Sequence, residues 1–120
     1  MPFFMLHPRE IEQTRKQKNA VVVDLRERAQ YQKFHYKNAY NMPYKENERW
    51  LDNFGKGNTY ILYCDYGNVS LLVARKLSLR GISVYTVVGG VDGIRRYHAQ
   101  NGGGDDNFLR LTGENRTDKI

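Results

Sequence analysis

Short, unbroken apolar runs punctuate the chain, and each is followed by a polar or helix-period segment. Residues 20–25 (AVVVDL), 59–64 (TYILYC) and 83–88 (SVYTVV) are rich in β-branched and aromatic side chains. They are continuous rather than alternating, the pattern of strands buried on both faces. Residues 27–33 read as a short surface helix, and residues 38–42 (NAYNM) as a brief strand closed by Pro43. Residues 45–53 look helical, with Trp50, Leu51 and the nearby Phe54 offering apolar surface, and residues 55–58 (GKGN) mark a turn. The strongest helix signal is residues 70–80 (SLLVARKLSLR). Its apolar positions Leu71, Val73, Ala74 and Leu77, with Leu72 and Leu79 alongside, predict a broad buried stripe. Ser70 is the expected N-cap, and Gly81 lies just past the end, where a left-handed residue is favoured. Residues 91–100 read as a final helix.

Strands alternating with helices predict an α/β fold: a mostly parallel central sheet with helices on both faces, joined by right-handed crossovers. The sequence divides into a domain over residues 1–100 and a glycine-rich exit with a polar tail over residues 101–120. In that tail Phe108, Leu109 and Leu111 are able to dock locally. Ligands of such folds gather at the carboxyl ends of the strands. Cys64 ends the expected central strand there.

The chain has 120 residues, enough for one domain. The formal net charge of +6 favours anionic partners. The basic residues, however, form only small groups (Arg15, Lys16, Lys18; Arg75, Lys76, Arg80; Arg95, Arg96) scattered among acids. They read as solvated faces, and no aromatic–basic RNA-recognition signature accompanies them, so nucleic acid is disfavoured as a partner. No apolar run approaches the roughly 20 residues that span a bilayer, so no membrane association is expected. The N-terminal segment also lacks the features of a signal peptide. A single cysteine rules out an internal disulfide, a Cys-x-x-Cys pair and a multi-cysteine zinc site. The expectation is a soluble cytoplasmic domain without cofactor or metal.

Cys64-Asp65-Tyr66-Gly67-Asn68-Val69-Ser70 joins the end of a buried strand to the start of a helix. A thiol placed there meets the unpaired N–H groups of a first helical turn and the positive end of its dipole, which stabilise a thiolate. Gly67 permits a tight wrap in which successive amides face inward as an anion cradle. Such a ring can also hold a persulfide built on the same sulfur, without a second cysteine. The alternative is that Cys64 is a small buried hydrophobe.

Several separated blocks resemble the single-domain rhodanese family of sulfurtransferases over about residues 11–97. Val23-Asp24-Leu25-Arg26-Glu27, with Tyr31 following, is similar to the family's Asp-x-Arg-Glu signature. Phe34-His35-Tyr36-Lys37-Asn38-Ala39-Tyr40-Asn41-Met42-Pro43 resembles its Gly-His-Ile-x-x-Ala-x-Asn-Ile-Pro block. Residues 61–70 look like its strand and active-site loop, with Ala74, Leu77 and Gly81 matching the helix that follows. Val87-Val88-Gly89-Gly90-Val91 matches its late double-glycine turn. The resemblance implies a persulfide relay. Cys64 takes sulfur from thiosulfate, or from a protein or low-molecular-weight persulfide, and passes it to a thiol or cyanide-like acceptor. The backbone from Asp65 through Tyr66, Gly67, Asn68, Val69 and Ser70 binds the substrate. A sulfur-relay protein is the implied macromolecular partner.

Four positions depart from the family pattern. Asp65 and Val69 stand where cationic side chains are usual, Phe34 replaces the glycine before His35, and Ile94 replaces an aromatic. An acidic Asp65 opposes binding of a dianion such as thiosulfate. This favours persulfide donors, and also an alternative in which the domain is a catalytically weak interaction module. Phosphatase relatives of the fold need an arginine six residues after the cysteine, where this chain has Ser70.

Asp24 and Arg26 are candidate supporting residues. Arg26 either pairs with Asp24 or turns to the loop and supplies positive charge. His35 reads as a buried histidine holding backbone rather than a proton shuttle. His7 and His98 have no ligand-spaced neighbours. Tyr66 either shapes the pocket mouth or is an exposed ring, and no nucleotide-binding fingerprint is present.

Overall fold

In chain order the computed structural model contains β1 (Phe4–Leu6), a 3₁₀ turn (Pro8–Glu10), α1 (Ile11–Lys18), β2 (Val21–Asp24) and α2 (Arg28–Lys33). There follow β3 (His35–Tyr36), β4 (Tyr40–Asn41), a 3₁₀ segment (Glu48–Asn53), β5 (Thr59–Tyr63) and α3 (Asn68–Leu79). The last elements are β6 (Ser83–Val87), α4 (Gly90–Gln100) and β7 (Leu109–Arg110). The structure describes residues 2–101 and the backbone of 109–110.

Five strands form one sheet in the order β1-β6-β5-β2-β4, and every neighbouring pair is parallel. β5 lies at the centre, with Val23 opposite Leu62 on one side and Tyr85 opposite Ile61 on the other. The unbroken apolar character of β5 follows from its position. Successive side chains point to opposite faces, and both faces are covered. Tyr60 and Leu62 join a core with Val73, Ala74 and Leu77 of α3 and with Trp50 and Leu51 of the 3₁₀ segment. Ile61 and Tyr63 join a second core with Ile11 of α1, Tyr31 of α2 and Val91 and Ile94 of α4. Trp50 and Phe54 are core side chains, meeting edge to face at 5.3 Å.

The expected α/β architecture is therefore present, with several local corrections. α3 begins at Asn68, capped by Gly67 in a left-handed conformation, so Ser70 is a buried helical residue rather than the N-cap. The buried stripe is Ser70, Val73, Ala74, Leu77 and Ser78, whereas Leu71, Leu72 and Leu79 face solvent. With Gly67 as the cap, Ser70 lies in the first turn of the helix, and its hydroxyl turns inward to bond the loop. The end is as expected, with Gly81 left-handed and its amide bonded to Ser78 O. Residues 45–53 supply only the 3₁₀ segment, because Asn47 caps Trp50 N and the chain then leaves at Phe54.

β1 and α1 carry little sequence signal: β1 has three residues, and α1 buries only Ile11. The expected tail over residues 101–120, with Phe108 and Leu111, lies outside the described residues apart from Asn101 and 109–110. There the backbone of Leu109 and Arg110 pairs antiparallel with Tyr36 and His35. Among the described residues no helix is long and apolar enough to cross a membrane.

Candidate active site

β5 delivers Cys64 to the carboxyl end of the sheet, and the loop from Cys64 to Gly67 then turns into α3. Gly67 has φ +106°, a conformation that L side chains rarely adopt. A Cβ there would also stand 3.2 Å from Gly89 N. This turn aims two amides at the sulfur: Gly67 N and Ser70 N each lie 3.2 Å from Cys64 Sγ.

The loop is held from behind by α4. Val91 N donates to Cys64 O at 2.8 Å, and Asp92 N donates to Asp65 O at 3.1 Å. The two carbonyls are thus directed out toward the start of α4, which leaves the inner side of the loop to amide hydrogens. Gly90 makes that approach possible. Its φ is +60°, and a Cβ would lie 2.5 Å from Cys64 O and 2.7 Å from Asp65 C. The double glycine was legible as a motif, but its structural task was not, because it depends on a contact between distant segments.

A chain of buried hydroxyls lies beside the sulfur. The thiol lies 3.5 Å from Ser70 Oγ, which donates to Gly67 O at 3.3 Å and accepts from Thr86 Oγ1 at 2.8 Å. Ser70 and Thr86 are both buried. Sequence reasoning missed Thr86, which reads as an ordinary strand residue of β6.

Cys64 is 4% exposed, yet it is not sealed off. It lines a cavity of about 170 Å³ together with Leu25, Tyr44, Asp65 and Val69. The predicted loop residues divide accordingly. Among the described residues Gly67 and Ser70 offer amides to the sulfur, Val69 and Asp65 wall its cavity, Asn68 opens α3, and Tyr66 is an exposed ring. Of the amides from Asp65 to Ser70, those of Gly67 and Ser70 donate to the Cys64 sulfur itself. The wall residues Gln30 and Tyr44 carried no sequence signal.

Asp24 and Arg26 form a buried ion pair. Arg26 Nη2 lies 2.8 Å from Asp24 Oδ2, and Arg26 N donates to Asp24 Oδ1 at 2.9 Å. Burial pushes the Arg26 guanidinium down, but the hydrogen bond and charge of Asp24 outweigh it, so its proton is held more tightly than usual. Tyr63 is held well above the ordinary phenol range, chiefly by burial and then by the Asp24 charge. Of the two alternatives, Arg26 takes the pairing with Asp24, and it also borders the sulfur's cavity. Asn41 Nδ2 ties the same turn by donating to Asp24 O and Arg26 O.

His35 is buried, its Nδ1 2.8 Å from Tyr31 O and its ring stacked on Tyr31 at 3.8 Å. It fastens α2 to β3. Among the described residues no group of three or more His, Cys, Asp or Glu side chains is arranged to hold a metal ion.

Residues 7–97 match the model of the rhodanese-like domain. The chain belongs to that family. A segment of 68 residues is 44% identical to the tRNA sulfurtransferase of Thermoplasma acidophilum, covering 57% of this chain and 14% of that protein. The thiosulfate sulfurtransferase GlpE of Coxiella burnetii is 26% identical over 84 residues, 69% of this chain and 78% of its own length. Among solved structures, the rhodanese-like domain protein from Staphylococcus aureus superposes with a TM-score of 0.70 at 22% identity. That match covers 92% of this chain and 99% of the other. The rhodanese-related protein of Thermoplasma volcanium gives 0.68 at 23% identity, covering 82% and 93%. These structural likenesses concern the fold. The rhodanese-like chain thus spans only about a seventh of the first tRNA sulfurtransferase, and most of GlpE.

Proposed function

We propose that this rhodanese-like domain is a sulfurtransferase whose Cys64 carries sulfur as a persulfide. The observation that carries the reading is the pair of amides, from Gly67 and Ser70, that donate to Sγ at the floor of an accessible cavity. Fixed amide donors of this kind can hydrogen-bond an anionic sulfur, including the sulfur added when a persulfide forms.

Loading follows from nucleophilic attack by the Cys64 thiolate on the outer sulfur of the donor. The new Cys64 S–S bond forms as the donor's S–S bond breaks, and the electron pair leaves with sulfite or with the donor thiolate. In the second half, a nucleophilic acceptor attacks the outer sulfur, and Cys64 departs as a thiolate. No external oxidant or reductant is needed, because each step exchanges one S–S bond for another bond to the same sulfur.

Tyr44, Val69 and Leu25 line the cavity beside the sulfur and would flank the outer sulfur of a persulfide. Asp65 disfavours a dianionic donor, so protein or low-molecular-weight persulfides are the preferred substrates and thiosulfate the poorer one. A sulfur-relay protein as donor or acceptor is supported by the sulfurtransferase relatives and suits the +6 surface. We place the activity in the cytoplasm, where the lone thiol stays reduced.

The acidic Asp65 also favours a second reading, a catalytically weak interaction module that binds an acidic partner. Turnover decides between them. The protein is given thiosulfate, glutathione persulfide or a persulfidated cysteine desulfurase as donor, with cyanide and a thiol as acceptors. Cys64-dependent release of thiocyanate or of the acceptor persulfide supports the enzyme. Failure with every donor overturns it in favour of the module.

A further inference from the structure

A second cavity, of about 210 Å³, adjoins the one that holds the sulfur and shares Arg26, Gln30 and Asp65 with it. Gln30 Nε2 reaches Asp65 Oδ1 at 3.4 Å, so these two side chains form the rim between the compartments. The charges on the outer compartment are unequally matched. Arg26 is committed to Asp24, and Asp92 accepts from Arg96 Nε at 2.9 Å. Lys33 and Arg95 also line this cavity, and neither has a carboxylate partner among the described residues.

Arg95 is exposed, and one aromatic ring packs against it. Its Cζ stands 4.7 Å from the ring centroid of Phe34, which Arg26 Cζ approaches at 5.0 Å. Stacking on an aromatic face orients a guanidinium while leaving its edge free to donate. Phe34 is the residue that replaces the pattern's glycine, so this chain builds an oriented cation where that pattern has no side chain. The positive charge missing from Asp65 and Val69 reappears one compartment away.

We propose that the outer compartment is a subsite for the anionic far end, carboxylate or phosphate, of an extended thiol persulfide, with Lys33 and Arg95 as its specificity-determining residues. This rests on the sulfurtransferase reading. A compact dianion that enters the inner compartment brings its whole charge beside Asp65. An extended donor places its sulfane sulfur at Cys64 and its charge in the outer compartment, where Lys33 and Arg95 offset Asp65. The reaction is then attack of the Cys64 thiolate on the terminal sulfur of R–S–SH. It forms Cys64–S–SH and releases R–S⁻, whose far end had been anchored by the two cations.

The test compares initial rates of sulfur loading, followed by intact-protein mass, for wild type, Lys33→Ala/Arg95→Ala and Phe34→Gly. Glutathione persulfide supplies carboxylates, coenzyme A persulfide supplies phosphates, and 2-hydroxyethyl persulfide is the uncharged reference. The wild type is expected to favour at least one anionic donor over the reference. The double variant lowers that ratio roughly tenfold, the upper range expected of two exposed charge contacts. Phe34→Gly lowers it by a smaller factor. Because the ratio is internal to each variant, partial unfolding does not mimic the effect. The arm that loses more, glutathione or coenzyme A, identifies the anionic group. Loading from all donors with an unchanged ratio in the double variant overturns the subsite alone. No loading from any donor overturns the sulfurtransferase reading and the subsite with it.

Discussion

Ser70 N lies 3.2 Å from Cys64 Sγ although the two are six positions apart in sequence. That contact closes the loop into a ring, and Ser70 serves it twice. Its amide points at the sulfur, while its hydroxyl joins Thr86 to Gly67 O. Ser70→Ala keeps the amide and removes the hydroxyl. Thr86→Val keeps the shape and removes the hydroxyl's buried partner. Each substitution is expected to cost about 1 kcal/mol of stability, the net worth of a buried hydrogen bond. Because the amides remain, both variants should retain Cys64 alkylation by iodoacetamide, slowed by a factor of a few. Loss of stability with an unaltered alkylation rate would show that the hydroxyl chain supports only the fold.

Gly90→Ala tests the buttress behind the loop. The added Cβ meets backbone atoms of Cys64 and Asp65 that have no flexible side chain to move aside. Together with the positive φ, this predicts destabilisation of about 2–4 kcal/mol. It also predicts a larger loss of sulfur loading than of stability at temperatures where the protein stays folded. Thermal melts read the first, and mass spectrometry reads the second. Full loading at wild-type rate would show that α4 does not position the loop.

The strands and the site loop were legible in sequence for a definite reason. β2 and β5 are almost wholly buried and β6 largely so, and residues 21–24, 59–63 and 83–87 accordingly carry a mainly apolar, β-branched and aromatic signal. The loop was legible because Gly67 and Cys64 are special residue types at a strand–helix junction. The start of α3 was misread because Gly67 caps it with backbone alone, and Ser70 resembles a side-chain cap. β1 and α1 escaped notice because packing against β6 and the 3₁₀ turn, rather than local pattern, defines them. The roles of Gly90, Thr86 and Arg95 arise from contacts across long sequence separations, which periodicity does not record.

Asp24→Ala isolates the structural pair. It leaves the Arg26 guanidinium buried without its carboxylate, and breaking such a pair costs roughly 3–5 kcal/mol. The double substitution Asp24→Ala/Arg26→Met should recover most of that loss, since no charge is then stranded. Chemical denaturation of the two variants checks the difference. Equal stability of both would mean that Arg26 finds another partner when Asp24 is removed.

Asp65→Arg reverses the charge at the rim between the two cavities. The account predicts that thiosulfate turnover rises by about tenfold relative to persulfide turnover, as repulsion of a dianion becomes attraction. The effect should shrink as ionic strength increases. An unchanged preference between donors would remove Asp65 from the account of specificity.

The central claim is that the Cys64 sulfur, held by the Gly67 and Ser70 amides, accepts a second sulfur atom. Brief exposure to glutathione persulfide, followed by trapping and peptide fragmentation, tests it most directly. The predicted result is a single added sulfur that maps to Cys64, is removed by a thiol acceptor, and is absent from a folded Cys64→Ser variant. A wild-type chain that stays unmodified by glutathione persulfide, thiosulfate and a persulfidated cysteine desulfurase alike would contradict it.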